Sequence, residues 1–199
     1  MSFEKVNQFE NVISEFFNSP YGIAVDSCTH ALELCLRLTN ANNIKFPKHT
    51  YVGVPQLGFK LNLNWSFEVV KWKDFYYINN TNIIDAAVLW RENAYMQGTF
   101  MCISFQFQKH LNIGRGGIIL TDDKRSYELL KKMSYDGRIR DKPWRNQNID
   151  CIGYHYYMPP EDAEKGIKIF NEKKNLNPKA WTYLDYPDLS KMSLFLNKN

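Results

Sequence analysis

The sequence contains no apolar run near the ~20 residues that a membrane-spanning helix requires, so we expect no membrane anchor. No secretory leader is expected either, because the first residues include the charged side chains of Glu4, Lys5 and Glu10 instead of an apolar stretch. These two absences favour a soluble, cytoplasmic protein.

A large charge of one sign is also missing. Lys and Arg number 25 against 21 Asp and Glu, which leaves a formal net charge of +4. An excess this small does not favour a nucleic-acid-binding or membrane-binding surface, so we expect neither partner. The basic segment 138–145 is interpreted as a solvated surface loop; the alternative is a contact with a nucleotide diphosphate, with Trp144 stacked on the base.

Cysteine is rare and is not spaced for a metal site. The four cysteines show neither the C-x-x-C pattern nor zinc-type spacing, so we expect reduced thiols that serve mainly in packing, and no metal. They are Cys28, Cys35, Cys102 and Cys151. No dinucleotide-binding glycine fingerprint follows the first strand pattern, 21–25, which argues against a Rossmann enzyme.

What is present is an alternation of helix and strand patterns. Apolar side chains recur at steps of three and four residues between Phe3 and Phe17, which predicts an amphipathic helix, and Pro159-Pro160-Glu161 predicts the start of a last helix. Further predicted elements are strands at 21–25, 43–46, 65–70, 82–84, 100–105 and 116–120, and helices at 31–38 and 124–135. This mixture indicates an α/β domain over 1–175, followed by a tail, 176–199, without a clear period.

Two charged residues follow strand patterns. Lys109 stands at the end of an apolar, aromatic run, where partial desolvation would lower its pKa and make its amine nucleophilic. Asp85 ends another apolar run and precedes two alanines, whose small side chains would let a flat ligand approach closely. The carboxylate of Asp85 could then hold a proton on a heteroaromatic nitrogen of that ligand. Taken alone, Lys109 is better explained as a lysine that marks a strand end, and Asp85 as an aspartate that caps the next segment.

Two turns are candidates for binding a phosphate. The polar turn 26–29 precedes a predicted helix, whose free N–H groups and dipole favour an anion, although most such turns only cap their own helix. The glycine-rich turn 110–117 lacks the spacing of a P-loop, and a tight hairpin explains it equally well.

These elements occur in an order that resembles the DegT/DnrJ/EryC1/StrS family of pyridoxal-phosphate (PLP) sugar aminotransferases. The similar segments are Ser27-Cys28-Thr29-His30-Ala31-Leu32 (S-G-T-x-A-L), Pro47-Lys48-His49-Thr50-Tyr51 (P-x-x-T-[FYW]), Asp85-Ala86-Ala87 (D-A-A), Ser104-Phe105-Gln106-Phe107-Gln108-Lys109 with Gly114-Arg115-Gly116-Gly117 (S-F-x-x-x-K and G-x-G-G), and Gly153-Tyr154-His155-Tyr156-Tyr157-Met158 (G-Y-N-Y-R-M). The resemblance implies a PLP fold-type-I large domain, a three-layer α/β sandwich with a mostly parallel sheet.

The resemblance also assigns roles to residues near the cofactor ring. Lys109 would form the Schiff base with PLP and shuttle the proton during transamination. Asp85 would pair with the pyridinium nitrogen and keep the ring an electron sink. Tyr51 would stack on the face of the ring.

Four further residues are implied at the cofactor phosphate. Thr29, Ser104 and the backbone of Cys28 would hold the phosphate within one subunit. His155 stands where the family has an asparagine that reaches the phosphate of the neighbouring subunit. The resemblance therefore implies a homodimer with shared active sites.

The sequence departs from the family pattern in single residues and in length. Cys28 replaces a glycine, Val88 a usual Gln or His, Arg115 a common Glu, and Tyr157 an arginine. Between Tyr51 and Asp85 there are 33 residues, and 29 follow Phe170, so we expect a reduced form that lacks most of the C-terminal domain.

The resulting hypothesis is a PLP-dependent aminotransferase that moves an amino group from glutamate to a nucleotide-linked keto-sugar. One alternative is a PLP-dependent sugar dehydratase or lyase. Members with that activity usually carry histidine in place of the lysine, so Lys109 argues against it, although His110 is adjacent. The other alternative is a non-catalytic binding module or the partner of a longer subunit that completes the site.

Overall fold

A five-stranded sheet runs through the middle of the computed structural model, which describes residues 2–198. The strands are β1 (Tyr21–Val25), β2 (Ile44–Pro47), β3 (Trp65–Glu68), β4 (Tyr76–Tyr77), β5 (Ile83–Asp85), β6 (Phe100–Ser104) and β7 (Gly117–Thr121). The main sheet has the order β1-β7-β6-β5-β4, and β2 and β3 form a separate pair.

Five α-helices surround the strands. They are α1 (Glu4–Phe17), α2 (Cys28–Leu38), α3 (Gly53–Lys60), α4 (Lys124–Met133) and α5 (Pro160–Lys173). Short 3-10 helices lie at Trp144–Asn146, Tyr183–Asp185, Leu189–Lys191 and Ser193–Lys198. No helix within residues 2–198 combines the length and the apolar character needed to cross a membrane.

The main sheet is mixed, which corrects the expectation that it would be mostly parallel. Among its described strands, β5 and β6 form the one parallel pair, and the other three pairings are antiparallel. The connections explain the difference, because parallel neighbours need a crossover of about a dozen or more residues, usually containing a helix. The connection from β4 to β5, 78–82, is too short, and the connection from β6 to β7, 105–116, contains no helix.

Helices cover both faces of the sheet, which confirms the three-layer α/β expectation. Helices α1 and α5 pack together on one face, and α2 and α4 lie on the other. Strand β1 serves both cores because its side chains alternate: Ile23 and Val25 face the α2 side, and Ala24 faces the α1 side.

The helix starts follow from capping residues in the sequence. The Ser27 hydroxyl accepts a hydrogen bond from the backbone N–H of His30 at 3.2 Å and so caps α2. Asp123 caps α4 in the same way, and α5 begins with Pro160, which has no N–H to leave unpaired. The polar turn 26–29 is thereby fixed at the carboxyl end of β1.

Residues 178–198, which we call the covering segment, pack against the domain. Leu189 and Phe195 are buried in the core on the α2 side. The backbone N–H of Leu189 donates to the carbonyl of Lys48 at 2.9 Å, and the Lys48 ammonium pairs with the Asp188 carboxylate at 2.8 Å. The sequence showed no period here because these anchors are single residues joined to distant strands.

The basic segment 138–145 is only partly the solvated loop that we expected. The Trp144 side chain is exposed, but Arg140 is buried and its Nη1 donates to the Glu10 carboxylate of α1 at 2.8 Å. The backbone N–H of Phe3 donates to the Asp141 carboxylate at 3.0 Å. These contacts hold Arg140 and Asp141 against α1 and the residue before it, while Ile139 stays exposed.

The cysteines are free thiols, as expected. Cys28, Cys35 and Cys102 are buried, and Cys151 is half-buried. The Sγ atoms of Cys35 and Cys102 lie 3.9 Å apart between α2 and β6, where both side chains fill the core.

Candidate active site

One edge of the main sheet gathers the polar residues that follow its strands. Strands β1, β5 and β6 run in the same direction, so their carboxyl ends share that edge. The turn into α2 follows β1, Asp85 ends β5, and Ser104 ends β6. A cavity of about 340 Å³ opens there.

Six of the seven site residues predicted from the sequence line this cavity. They are Cys28, Thr29, Tyr51, Asp85, Ser104 and Lys109. Their positions are separated by up to 81 residues in the sequence (109 minus 28), and the common direction of β1, β5 and β6 brings together those that follow these three strands. Their roles toward a cofactor stay predictions.

Asp85 is a buried carboxylate, and each of its two oxygens accepts a hydrogen bond. Its side chain is 5% exposed, Oδ1 accepts the N–H of Ala87 at 3.0 Å, and Oδ2 accepts the hydroxyl of Tyr76. Burial raises the pKa of Asp85, while the two hydrogen bonds and the positive charge of Lys109 act in the opposite direction. A cation placed beside this carboxylate would further favour its ionised form.

Lys109 presents a partly desolvated amine to the same cavity. Burial lowers its pKa, and the charge of Lys179 adds to that effect, while Asp85 and Cys28 oppose it. Its Nζ lies 3.5 Å from the hydroxyl of Tyr186 and 4.9 Å from the centre of the Trp181 ring. A lowered pKa leaves more of the amine uncharged at neutral pH, which is the nucleophilic form.

The start of α2 lies at one end of the cavity and presents backbone N–H groups and hydroxyls to it. A Cβ on Gly117 would lie 2.6 Å from the backbone nitrogen of Cys28, so glycine lets β7 approach the turn closely. Ser27 and Thr29 add hydroxyls, and Arg115 reaches the same turn, where its Nη2 pairs with the Asp26 carboxylate at 2.8 Å. Free helix N–H groups, hydroxyls and a guanidinium together suit a phosphate.

The donor set as a whole fits PLP. A helix start with hydroxyls, an amine with a lowered pKa and a buried carboxylate line one cavity, and such groups suit the phosphate, the aldehyde and the ring nitrogen of the cofactor. Burial also raises the pKa of the Cys28 thiol, so this side chain stays protonated and uncharged beside the turn. No group of three His, Cys, Asp or Glu side chains within residues 2–198 is arranged to hold a metal ion.

His155 lies outside the cavity. Its Nδ1 is 3.0 Å from the Asp136 carboxylate, and its side chain is 68% exposed. His155 therefore contributes nothing to the lining of the cavity in its own chain. Its predicted role toward a neighbouring subunit stays a prediction.

Aromatic residues that sequence reasoning missed close the other side of the cavity. Trp72 and Tyr76 come from the segment before β5, and Trp181 and Tyr186 come from the covering segment. No spacing pattern marks them. The only signal in the sequence is the density of aromatic residues in two segments that lack a helix or strand period.

A second cavity of about 210 Å³ adjoins the first. Lys109 and Trp181 line both cavities, and His110, Lys173 and Lys179 line the second. No carboxylate is among its described lining residues. The second cavity therefore carries positive charge next to the amine of Lys109.

Comparison with known proteins finds a family model that matches most of the chain. The family model described as the DegT/DnrJ/EryC1/StrS aminotransferase family matches residues 1–69 and 92–171. The unmatched stretches contain Asp85 and the covering segment. No curated protein matches the sequence.

Solved structures share the fold at low sequence identity. AtS13 from Actinomadura melliaura superimposes with a TM-score of 0.73 at 18% identity, over 85% of this chain and 60% of its own. The sugar aminotransferase CalS13 from Micromonospora echinospora gives 0.72 at 13%, over 87% and 62%. A putative PLP-dependent aminotransferase from Bacillus cereus ATCC 10987 gives 0.70 at 16%, over 86% and 59%. The chain thus spans about three fifths of the length of these structures.

Proposed function

This chain belongs to the DegT/DnrJ/EryC1/StrS aminotransferase family, and on that basis we propose that it is a PLP-dependent aminotransferase. The observation that carries the proposal is the amine of Lys109, whose pKa is lowered by burial in a cavity that it shares with Asp85 and the start of α2. A surface lysine would not combine these three features.

Each residue would contribute a defined interaction. Bound PLP supplies an electron sink that stabilises negative charge on the carbon bearing the amino group. The Nζ of Lys109 would hold the cofactor and then carry a proton to and from that carbon. The Asp85 carboxylate would keep a proton on the ring nitrogen, and the N–H groups at Cys28 and Thr29 would bind the phosphate. Tyr51 would cover the open face of the ring.

We propose glutamate as the amino donor and a nucleotide-linked keto-sugar as the acceptor. The cationic second cavity supports an anionic donor, because Lys173 and Lys179 would attract carboxylates to the neighbourhood of Lys109. The description of CalS13 as a sugar aminotransferase supports the sugar acceptor.

We further propose a cytoplasmic homodimer with shared sites. His155 supports the dimer, because its exposed ring lies outside its own cavity and is held by Asp136, so a second copy could receive it. Light scattering of the purified protein, with and without PLP, measures the oligomeric state directly.

The central experiment is a PLP titration followed by absorbance. We expect a cofactor band in the wild-type protein that is lost in Lys109→Ala and kept in Lys124→Ala, a matched control at an exposed lysine on α4. Release of 2-oxoglutarate from glutamate then tests amino transfer and separates it from a dehydratase. A wild-type protein without a lysine-dependent band would contradict the proposal and favour a non-catalytic module.

A further inference from the structure

Two segments outside the family match pack against each other at the cavity. The backbone N–H of Asp74 donates to the carbonyl of Trp181 at 3.0 Å, and that of Tyr183 donates to the carbonyl of Trp72 at 3.1 Å. The ring of Trp72 lies 5.4 Å from that of Tyr76 and 5.5 Å from that of Tyr186. The segment before β5 and the covering segment therefore form one aromatic wall.

The first tyrosine of this wall reaches Asp85. Tyr76 is 6% exposed, its hydroxyl donates to Oδ2 of Asp85, and its oxygen lies 2.5 Å from Oγ1 of Thr50. An ionised carboxylate only accepts hydrogen bonds, so Tyr76 donates to Asp85 and Thr50 donates to Tyr76. Burial raises the pKa of Tyr76, which keeps its proton available for this bond.

The second tyrosine reaches Lys109. The hydroxyl of Tyr186 is 3.5 Å from Nζ of Lys109, and the ring of His49 bonds the Tyr186 carbonyl at 2.9 Å, which fixes the backbone there. Burial, followed by the charge of Asp85, raises the pKa of Tyr186, so this hydroxyl also stays protonated. The amine donates to this neutral hydroxyl, and a hydroxyl that accepts from the ammonium favours the charged form of Lys109.

We propose that Tyr76 and Tyr186 are positioning residues of the site, with Tyr76 fixing the carboxylate of Asp85 and Tyr186 fixing the amine of Lys109. This inference rests on the proposed function, because the Asp85 carboxylate and the Lys109 amine are the two groups that would face the cofactor. It adds that the groups holding them in place come from the parts of the chain that the family model does not match.

Few other charged or titratable groups influence the pKa values of Lys109 and Asp85. Lys109 is influenced by Asp85, Cys28 and Lys179, and Asp85 is influenced by Lys109 and Tyr76. The Tyr76 hydroxyl bonds the ionised carboxylate of Asp85, and the Tyr186 hydroxyl bonds the charged amine of Lys109. Removing either hydroxyl should therefore disfavour the charged form of its partner. The two substitutions therefore shift the two partners' pKa values in opposite directions.

The first test replaces Tyr76 by phenylalanine in the protein without PLP. We expect the pKa of Asp85 to rise by roughly one pH unit, because a hydrogen bond to the ionised carboxylate is lost. Infrared difference spectra against pH measure the protonated carboxyl band, and the same spectra of Asp85→Asn assign it. Tyr77→Phe is the control, because that half-exposed tyrosine lies next in the sequence and outside the cavity.

The second test replaces Tyr186 by phenylalanine. We expect the pKa of Lys109 to fall by roughly half a pH unit, because the bond to the ammonium is lost while the ring still excludes water. The rate at which trinitrobenzenesulfonate modifies Lys109, followed by peptide mass spectrometry against pH, gives this value. Tyr183→Phe, in the same covering segment but outside the cavity, is the control.

The outcomes separate this inference from the proposed function. Both shifts occur without cofactor, so a protein that ignores PLP would overturn the function and leave the tyrosine assignments standing. An unchanged pKa, or an equal shift in the matched control, would overturn the assignment for that tyrosine. If Tyr76→Phe does not fold, Thr50→Val removes the next donor, and it must raise the pKa of Asp85 for the assignment to survive.

Discussion

Replacing Glu10 by alanine should destabilise the domain strongly. Glu10 lies on α1 and is 3% exposed, and its Oε1 accepts Nη1 of Arg140 at 2.8 Å and the backbone N–H of Ala24 at 2.9 Å. Lys131 lies 3.4 Å from Oε2. Because Ala24 is in β1 at the edge of the sheet, this carboxylate also pairs a strand N–H that has no neighbouring strand.

The magnitude follows from leaving a buried charge without its partner. Removing one member of a buried ion pair costs about 3–5 kcal/mol, part of it from the unpaired Arg140 guanidinium and part from the Ala24 N–H. In a domain of this size 1 kcal/mol corresponds to about 2–4 °C in Tm, so we expect a fall of roughly 6–20 °C.

Urea and thermal unfolding of the variant measure the effect. Lys5→Ala is the matched control on the same helix, because Lys5 pairs with Glu164 at 3.9 Å with side chains 47% and 70% exposed. An exposed pair contributes about 0–1 kcal/mol, so this variant should unfold almost as the wild type does. A loss below about 1 kcal/mol for Glu10→Ala would refute the reasoning, because it would mean that the pair is hydrated in solution.

Two further predictions concern the proposed phosphate site at the start of α2 and the covering segment. Arg115→Gln should weaken PLP binding about tenfold, because one charge-assisted contact with the phosphate is lost. Binding of pyridoxal, which has no phosphate, should stay unchanged. Equal losses of affinity for both ligands in parallel titrations would exclude a phosphate contact. Burial acts to raise the pKa of Asp188, but its bonds to Lys48 and Ser190 lower that pKa to about 2. A carboxyl whose pKa is lowered on folding stabilises the fold above its ordinary pKa of about 4, so the stabilising effect is lost as the pH falls from about 4 to 2. Tryptophan fluorescence against pH should follow this loss, and Asp188→Asn should remove that part of the curve; an unchanged curve would show that this pair does not hold the segment.

Much of the fold could be predicted from local sequence, because caps and apolar periods are local signals. Ser27 and Pro160 mark helix starts, and the strands at 21–25 and 100–105 match β1 and β6 closely. Helix α3 was missed because it contains two glycines and a proline, and burial of its apolar face compensates for that weak propensity.

Strand direction could not be predicted in the same way. An apolar run has the same appearance whether its neighbour is parallel or antiparallel, so the mixed sheet had no local signature. The two-residue strand β4 is shorter than any period that could reveal it.

The residues of the site also differ in whether the sequence could predict them. Lys109 and Asp85 could be predicted because each follows a strand pattern and both occur in a family order. Tyr76 and Tyr186 could not, because each becomes part of the site only through packing between residues far apart in the sequence. Arg115 was noted as a departure from the family, and only the structure brings it to the turn before α2.

The covering segment also has a consequence for biosynthesis. Trp181, Asp185 and Tyr186 are translated after every other residue that lines the first cavity. When β1 to β7 have left the ribosome, the residues of the covering segment that close the cavity beside Lys109 have not yet emerged. Closure of the cavity must wait for contacts that join the covering segment to residues more than a hundred positions earlier, such as Leu189 with Lys48, and such long-range contacts form slowly. A PLP molecule that enters before closure would meet a wider opening than the finished protein offers.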